Sequence, residues 1–213
     1  MDIHKLRQLL PAKSSGEPFF VSTRDREGKK KYQWDAVLEM GLAPDYGLFM
    51  PCCLPKFSDA AITALLDLSY SEVAWLAMRS FLPVKDISDD VLAEMCEGAY
   101  SGINIPIEEA IDDSNLVIAR LDDGPSGSFK DFAARFLARL MSYYLYTKQK
   151  HATIIVATSG DTGTAIQTAF HGLPNTNVLV LYPADGVSNI QEKQMLFVSG
   201  NVRAIPVDGN FDD

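Results

Sequence analysis

One lysine in this sequence is placed where a side-chain amine could act as a nucleophile. Residues 124–132 read GPSGSFKDF, a glycine- and proline-rich turn that leads into a helical pattern. Ser128, with Asp131 soon after it, is typical of a helix start and would place Lys130 about two positions inside the helix. The positive end of the helix dipole and burial both disfavour the ammonium form, so this amine could form a Schiff base with a carbonyl compound. A surface lysine in a first helical turn is the alternative that this stretch leaves open.

The apolar residues after this turn predict which face of the helix is buried. Arg135 and Arg139 mark a different and wetter face. The stripe expected to be buried consists of Phe129, Phe132, Ala133, Phe136, Leu137, Leu140, Met141 and Tyr144.

A second stretch, TSGDTGT at residues 158–164, follows a strand-type run and leads into another helix. At the carboxyl ends of parallel strands, such loops present backbone N–H groups, so this loop is expected to bind a carboxylate or a phosphate. Asp161 would repel an anion unless its side chain points away or takes up a proton or a cation. The stretch is neither a P-loop nor a dinucleotide fingerprint, and an ordinary glycine-containing turn is the alternative.

Charge and composition exclude several classes of protein. The 213 residues include 19 Lys and Arg against 28 Asp and Glu, a net charge of -9, so no nucleic-acid surface is expected. The cysteines, Cys52, Cys53 and Cys96, are too few and wrongly spaced for a zinc site or a disulfide framework, and they favour a reducing compartment. The histidines have no ligand spacing, so no metal is expected. Without a signal-peptide core or a membrane-length apolar run, the protein is expected to be cytoplasmic, with no membrane partner.

The first part of the sequence predicts a small, mostly helical unit. Residues 19–24 alternate apolar and polar and predict a short strand, with 31–34 as its return across a charged hairpin tip. Capping residues and glycines bound the expected helices. These helices cover residues 35–40, 58–66, 71–81 and 88–98.

After residue 115, strand-type runs alternate with helical segments. Near-continuous apolar strands of this kind predict an α/β fold whose parallel sheet is covered on both faces and joined by right-handed crossovers. A capping box of Ser188 and Gln191 should begin the last helix, and Gly200 should lie just past its end. The expected strands are residues 116–121, 153–157, 178–182 and 202–207.

With both chemical stretches identified, the sequence resembles the N-terminal part of threonine synthases, which are pyridoxal-phosphate (PLP) enzymes of the tryptophan-synthase β-like fold. The motifs stand in family order along nearly the whole chain. They are STR at 22–24, GLAPDYGLFMP at 41–51, GP at 124–125 with FKDF at 129–132, ATSGDTG at 157–163, LYP at 181–183 with QE at 191–192, and VDGNFDD at 207–213.

The resemblance implies a fold type II PLP enzyme in which Lys130 is catalytic and carries the cofactor. It also implies that Ser159, Gly160, Asp161, Thr162 and Gly163 line the cofactor face and hold the amino-acid end of the substrate. Residues 1–95 would form the N-terminal domain, and 96–213 the N-terminal part of the catalytic domain. Asp122 and Asp123 depart from the family by replacing an aromatic residue and a histidine before the lysine turn.

The activity implied is the conversion of O-phospho-L-homoserine and water to L-threonine and phosphate, by a monomer or a homodimer. A phospho-lyase that yields a keto acid, and a flavodoxin-like FMN-binding electron carrier, are the alternatives. The family's PLP-phosphate loop lies in a later part of its sequences, so residues 1–213 alone are expected to be an inactive N-terminal fragment that exposes apolar surface.

Overall fold

A computed structural model of the chain describes residues 1–11, 17–110, 113–158, 160–197 and 199–209. Two compact units divide the chain, Met1–Ser101 and Gly102–Asp213. Ser159 and residues 210–213, which end the last family motif, lie outside the described residues.

The first unit is mostly helical, as the sequence predicts. Its one strand pair is antiparallel, with Val21 opposite Met50 in the part of the chain that the structure describes. The elements are α1 (Ile3–Leu9), β1 (Phe20–Ser22), α2 (Trp34–Met40), β2 (Phe49–Pro51), α3 (Asp59–Leu65), α4 (Tyr70–Arg79) and α5 (Asp89–Tyr100).

The expected hairpin at residues 31–34 is reduced to a single bridge. The Phe20 N–H donates to the Tyr32 carbonyl at 2.8 Å, and the Tyr32 N–H donates back at 2.9 Å. The continuous partner of β1 is β2, and the Tyr32 ring packs edge-on against the Phe49 ring of that strand, with centroids 4.9 Å apart. β2 thus pairs along the whole of β1, whereas the return strand pairs with β1 only through Tyr32.

Serine side chains begin three of these helices. Ser58 and Ser88 cap α3 and α5, as expected. The cap of α4 is Ser69, whereas the sequence placed the helix start at Ser71. The reason is Glu72, whose carboxylate accepts the Ser69 N–H at 2.9 Å while the Ser69 hydroxyl accepts the Glu72 N–H, which completes a capping box.

A buried ion pair joins α4 to the start of α5. Arg79 is 7% exposed and Asp89 is 5% exposed, and the Arg79 Nε lies 3.0 Å from the Asp89 Oδ1. Arg79 also donates to the carbonyls of Leu82 and Ile87, each at 2.9 Å. Burial lowers the pKa of Arg79, and the charge of Asp89 opposes that shift. This network fixes the turn between the two helices.

The second unit alternates strands and helices. Its elements are β3 (Ile107–Ala110), β4 (Asp113–Ala119), α6 (Asp131–Thr147), β5 (Ala152–Ala157), α7 (Asp161–Phe170), β6 (Thr176–Pro183), α8 (Asn189–Phe197) and β7 (Val202–Val207). The sequence placed the strand near 116–121 in the parallel sheet. The structure instead pairs this strand, β4, antiparallel with β3, because the neighbouring segment at 107–110 gives it a local partner.

The sheet of β5, β6 and β7 is parallel, with that strand order. Its core cluster combines residues of all three flanking helices with one face of the central strand. The cluster is Ala134, Ala138, Ala165, Ala169, Phe170, Val178, Val180, Tyr182, Met195 and Val202. The predicted α/β class is confirmed.

The expectation that helices cover both faces of this sheet is wrong for the described residues. Consecutive right-handed crossovers in the order β5, β6, β7 place α7 and α8 on the same face. On the other face Ile155 is 65% exposed and Ile205 is 44% exposed. The chain also leaves Leu116, Val117 and Ile118 exposed, and consecutive residues of a strand point to opposite faces, so both faces of β4 are open.

A search of the described residues for a helix both long enough and apolar enough to span a bilayer finds none.

Candidate functional site

The lysine turn leads directly into α6. The Gly127 N–H donates to the Gly124 carbonyl at 3.0 Å, and Gly127 adopts φ +68°, a left-handed conformation that favours glycine. Ser128 accepts the Lys130 N–H on its hydroxyl oxygen at 3.3 Å. Lys130 itself occupies the cap position before Asp131, and its carbonyl accepts the Ala134 N–H at 2.9 Å. The lysine therefore lies at the helix start, about two positions earlier than the sequence predicted.

Asp131 anchors this turn from inside the unit. Its side chain is 0% exposed, and its Oδ2 accepts the Ser126 N–H at 2.8 Å. The sequence paired Asp131 with Ser128 as a helix start, but the carboxylate reaches back past Ser128 to Ser126. A Cβ on Gly124 would lie 2.6 Å from the same Oδ2, so only glycine permits the close approach of the turn to the carboxylate.

Two buried polar atoms of the turn have no hydrogen-bond partner among the described residues. They are the Ser126 Oγ and the Asp131 Oδ1. Buried polar atoms are usually satisfied, so unpaired ones mark places where a further polar group fits. Ser126 belongs to the turn that precedes Lys130, and Asp131 directly follows the lysine as the first residue of α6.

The Lys130 side chain is half-buried, and its Nζ lies 4.4 Å from the centroid of the Phe129 ring. Phe129 is 59% exposed, Leu137 is 39% exposed and Ala133 is also exposed, so the expected buried stripe is wrong at these three positions. The face that the core covers instead includes Ala134 and Ala138, whose small side chains let α6 pack closely. The amine therefore lies beside exposed apolar surface rather than within the core.

The residues before the lysine turn depart from the family, and the structure accounts for one of them. Arg120 donates to both carboxylate oxygens of Asp122, at 2.8 and 2.7 Å, and to Glu108 at 3.0 Å. The hydrogen bonds from Arg120 lower the pKa of Asp122 to about 2. Asp122 is therefore an ion-paired carboxylate at the end of β4.

In the second stretch, residues 158–164, two backbone N–H groups donate to the side chain of Thr158. The Thr158 Oγ1 accepts the Gly160 N–H at 3.0 Å and the Gly163 N–H at 3.3 Å, so this hydroxyl organises the start of α7. Gly160 adopts φ +143°, which favours glycine, and a Cβ there would lie 2.4 Å from the Gln191 amide nitrogen. Ser159 lies outside the described residues. Sequence reasoning did not single out Thr158, although a threonine at the end of a strand before Ser-Gly was the available signal.

Asp161 and Gly163 take different positions in this stretch, and Thr162, between them, is half-buried. Asp161 is exposed, and its Oδ1 accepts a hydrogen bond from the Gln191 Nε2 at 2.9 Å, so the carboxylate is directed at α8. Gly163 is buried, and a Cβ there would lie 2.6 Å from Thr158 and 2.9 Å from Val180. Gly163 thus lets α7 pack closely on the sheet.

The capping box predicted for α8 is confirmed. The Ser188 N–H donates to the Gln191 Oε1 at 3.1 Å, and the Gln191 N–H donates to the Ser188 Oγ at 3.3 Å. These bonds fix the amide orientation of Gln191 and leave its Nε2 to hold Asp161. One glutamine therefore connects the start of α8 to the start of α7.

Topology brings the two stretches to one edge of the sheet. The helix α7 begins at the carboxyl end of β5, and a short turn at residues 148–151 reverses the chain between α6 and β5, so α6 begins at that same edge. Helices α6 and α7 share the core through Ala134 and Ala165. The structure thus places Lys130 and residues 160–163, which cap and begin α7, at the sheet edge where α/β proteins bind ligands.

The fold and the lysine turn define an α/β protein in which two helices begin at one edge of a parallel sheet. A family model described as "Threonine synthase N terminus" matches residues 19–100. The threonine synthase of Escherichia coli K12 is 33% identical over 187 residues, which cover 88% of this chain and 42% of that protein. That of Schizosaccharomyces pombe is 34% identical over 210 residues, covering 93% of this chain and 40% of that protein.

Solved structures agree with these relatives. PLP-bound threonine synthase from Brucella melitensis matches with a TM-score of 0.82 and 37% identity over 92% of this chain and 42% of that one. Yeast threonine synthase matches with a TM-score of 0.82 and 31% identity, over 91% of this chain and 41% of that one. The resemblance to the N-terminal part of threonine synthases is confirmed, and the chain spans about two fifths of its relatives' length. The phospho-lyase and flavodoxin-like alternatives find no support in these matches.

Proposed function

We propose that this chain serves a threonine synthase reaction, the PLP-dependent conversion of O-phospho-L-homoserine and water to L-threonine and phosphate. The observation that carries the proposal is the similarity to threonine synthases through both units, including the PLP-bound relative at 37% identity. Because the chain spans 42% of the E. coli relative, the activity is proposed for an enzyme of that relative's full length. Its small-molecule substrate is O-phospho-L-homoserine.

We also propose that the chain comprises two domains. Residues 1–95 would form the N-terminal domain and 96–213 the N-terminal part of the catalytic domain. The compact unit that ends at Ser101, and the family match that ends at residue 100, support a boundary in this region. We further propose a cytoplasmic location, from the same sequence features as before, and a monomer or a homodimer, as the resemblance implies.

The residues at the sheet edge fit PLP. A half-buried lysine amine at a helix start suits the aldehyde of the cofactor, and the unpaired Ser126 hydroxyl leaves a polar position in the adjoining turn. Lys130 would hold PLP, and Ser159, Gly160, Asp161, Thr162 and Gly163 would line the cofactor and the amino-acid end of the substrate. When bound, PLP supplies an electron sink for carbanion chemistry.

The chain's own residues would then supply orientation and proton transfer. The Lys130 amine, once released by the substrate, would move protons at the α and β carbons of the substrate. Asp131 would hold the turn, because its carboxylate accepts the Ser126 N–H and is fully buried. The Gln191 amide would keep the Asp161 carboxylate directed at α8 and so limit its repulsion of an anionic substrate.

Borohydride reduction followed by peptide mapping tests the cofactor site. In the whole enzyme supplied with PLP, we expect a pyridoxyl label on Lys130 and its loss in Lys130→Ala. Lys148, which ends the same helix, provides the matched control, and Lys148→Ala should keep both the label and the activity. A label on another lysine would disprove the assignment of Lys130.

Product analysis tests the reaction. Threonine and phosphate in equal amounts from O-phospho-L-homoserine are expected, and Lys130→Ala should abolish both. A keto acid in place of threonine would refute the proposed reaction while leaving the PLP site intact.

A further inference from the structure

The first unit carries two adjacent thiols that the proposed reaction does not use. Cys52 and Cys53 directly follow β2, and both side chains are exposed. Their sulfur atoms are 3.1 Å apart, in direct contact. The Cys52 N–H donates to the Phe19 carbonyl at 2.9 Å, so the strand pair holds the backbone of the first cysteine in place.

An ordinary disulfide fits this pair poorly. Consecutive Cα atoms lie about 3.8 Å apart across a trans peptide, whereas disulfide-bonded cysteines usually have Cα atoms about 4.4–6.8 Å apart. A disulfide between neighbours is therefore strained and readily reduced. An atom that bonds to both sulfurs and lies between them removes the need for a direct S–S bond and so relieves this strain.

The separation of the sulfurs suits chelation of one soft atom. Two thiolates about 2.3 Å from one atom at tetrahedral angles have sulfurs about 3.8 Å apart, which small side-chain rotations reach from the observed contact. A linear arrangement would require about 4.6 Å from the same bond length. Soft thiolate ligands prefer soft metals and metalloids over hard cations.

The number of side-chain ligands at the two cysteines limits the kinds of metal or metalloid that this site could bind. The part of the chain that the structure describes contains no group of three or more His, Cys, Asp and Glu residues that could hold a metal. The site therefore offers two sulfurs and no third side-chain ligand within the described ranges. A metalloid that brings its own third substituent, such as a monosubstituted arsenic(III) compound, needs only two thiols.

We propose that Cys52 and Cys53 form a two-thiol binding site for trivalent arsenic compounds. With an arsenic(III) oxide bearing one organic group, two As–S bonds replace the As=O bond, and the oxygen leaves as water with the two thiol protons. Arsenic stays trivalent, so the reaction needs no oxidant or reductant. The site lies in the first unit and is independent of the proposed activity.

Titration of the reduced full chain with phenylarsine oxide tests the proposal. Native mass spectrometry should detect one arsenic per chain, and thiol counting should detect the loss of two thiols. Cys52→Ser and Cys53→Ser should each weaken binding by about 100-fold or more, because chelation by two linked ligands exceeds either single affinity by that order. Both positions are exposed, so thermal unfolding should confirm that the variants fold.

Cys96 provides an internal control. It is 0% exposed, and burial raises its pKa to about 12, so its peptide should stay unmodified. Addition of a small dithiol should release the arsenic, whereas a monothiol at equal concentration should not. The proposal is overturned if arsenic fails to bind, if either single variant binds as tightly as the parent chain, or if only one thiol is lost.

Discussion

Gly124→Ala is expected to destabilise the lysine turn and the helix after it. The new Cβ would lie 2.6 Å from the Asp131 Oδ2 and 3.4 Å from the Asp131 Cγ. The carboxylate cannot rotate into solvent, because it is 0% exposed and accepts the Ser126 N–H at 2.8 Å. Overpacking of this kind costs about 1–3 kcal/mol, and a weakened bond to a charged group adds about 1.5–3 kcal/mol. We therefore expect a loss of about 2.5–6 kcal/mol in the free energy of unfolding of the second unit.

The measurement is urea unfolding of the chain, in which the loss of structure in α6 is monitored by hydrogen exchange at its backbone amides. Tryptophan fluorescence supplies an internal control, because both tryptophans, Trp34 and Trp75, lie in the unit Met1–Ser101. Their transition should keep its midpoint in Gly124→Ala while α6 loses protection.

A double-mutant cycle isolates the proposed clash. Asp131→Ala is destabilising by itself, but it removes the atom that the new Cβ meets. In that background Gly124→Ala should cost less, with a coupling energy of at least about 1 kcal/mol. Equal costs in both backgrounds would refute the clash with Asp131.

Three further predictions concern other contacts. Asp89→Ala should cost about 3–5 kcal/mol in fluorescence-monitored unfolding, because it leaves the buried Arg79 without its ion-pair partner; a cost below about 1 kcal/mol would contradict the buried network. Ser188→Ala should cost about 1 kcal/mol in the stability of the second unit through the lost cap of α8, measured by hydrogen exchange. NMR titration should place the pKa of Asp122 near 2, and Arg120→Gln should return that pKa toward about 3.9. Because the pKa is depressed in the folded state, the ion pair stabilises the folded state above pH about 4. That contribution is lost as the pH falls through about 2.

Helices and parallel strands could be predicted because local patterns determine them. The Ser188–Gln191 capping box and the run that became β5 are signals confined to a few neighbouring residues. The partner of β4 could not be predicted, because an apolar run pairs equally well with a local antiparallel neighbour or with a distant parallel one. The start of α4 was misplaced because Ser69 and Ser71 are both capping residues, and only Glu72 distinguishes them.

The sequence singles out the residues of the candidate site, whose roles stay predictions, but it could not predict their contacts. Lys130 was found from the turn that precedes it, whereas the reach of Asp131 back to Ser126 depends on the path of that turn in space. The sequence raised the charge of Asp161 as a difficulty for anion binding, and the structure provides the partner, Gln191, from a helix thirty residues further along. Long-range side-chain contacts of this kind leave no periodic signal.

The strands of the parallel sheet are more apolar than the packing of the described residues requires. Their apolar residues also lie on the face that stays open. The order β5, β6, β7 sends both right-handed crossovers, through α7 and α8, to one face, where Val178 and Val180 point. Helix α6 packs on that same face through Ala134 and Ala138. Ile155 and Ile205 nevertheless keep the opposite face apolar, which is the composition of a strand covered on both sides. The candidate site does not depend on that second cover, because the turn before Lys130 and the start of α7 are both held by contacts within the unit. The geometry of the two helix starts is thus determined locally.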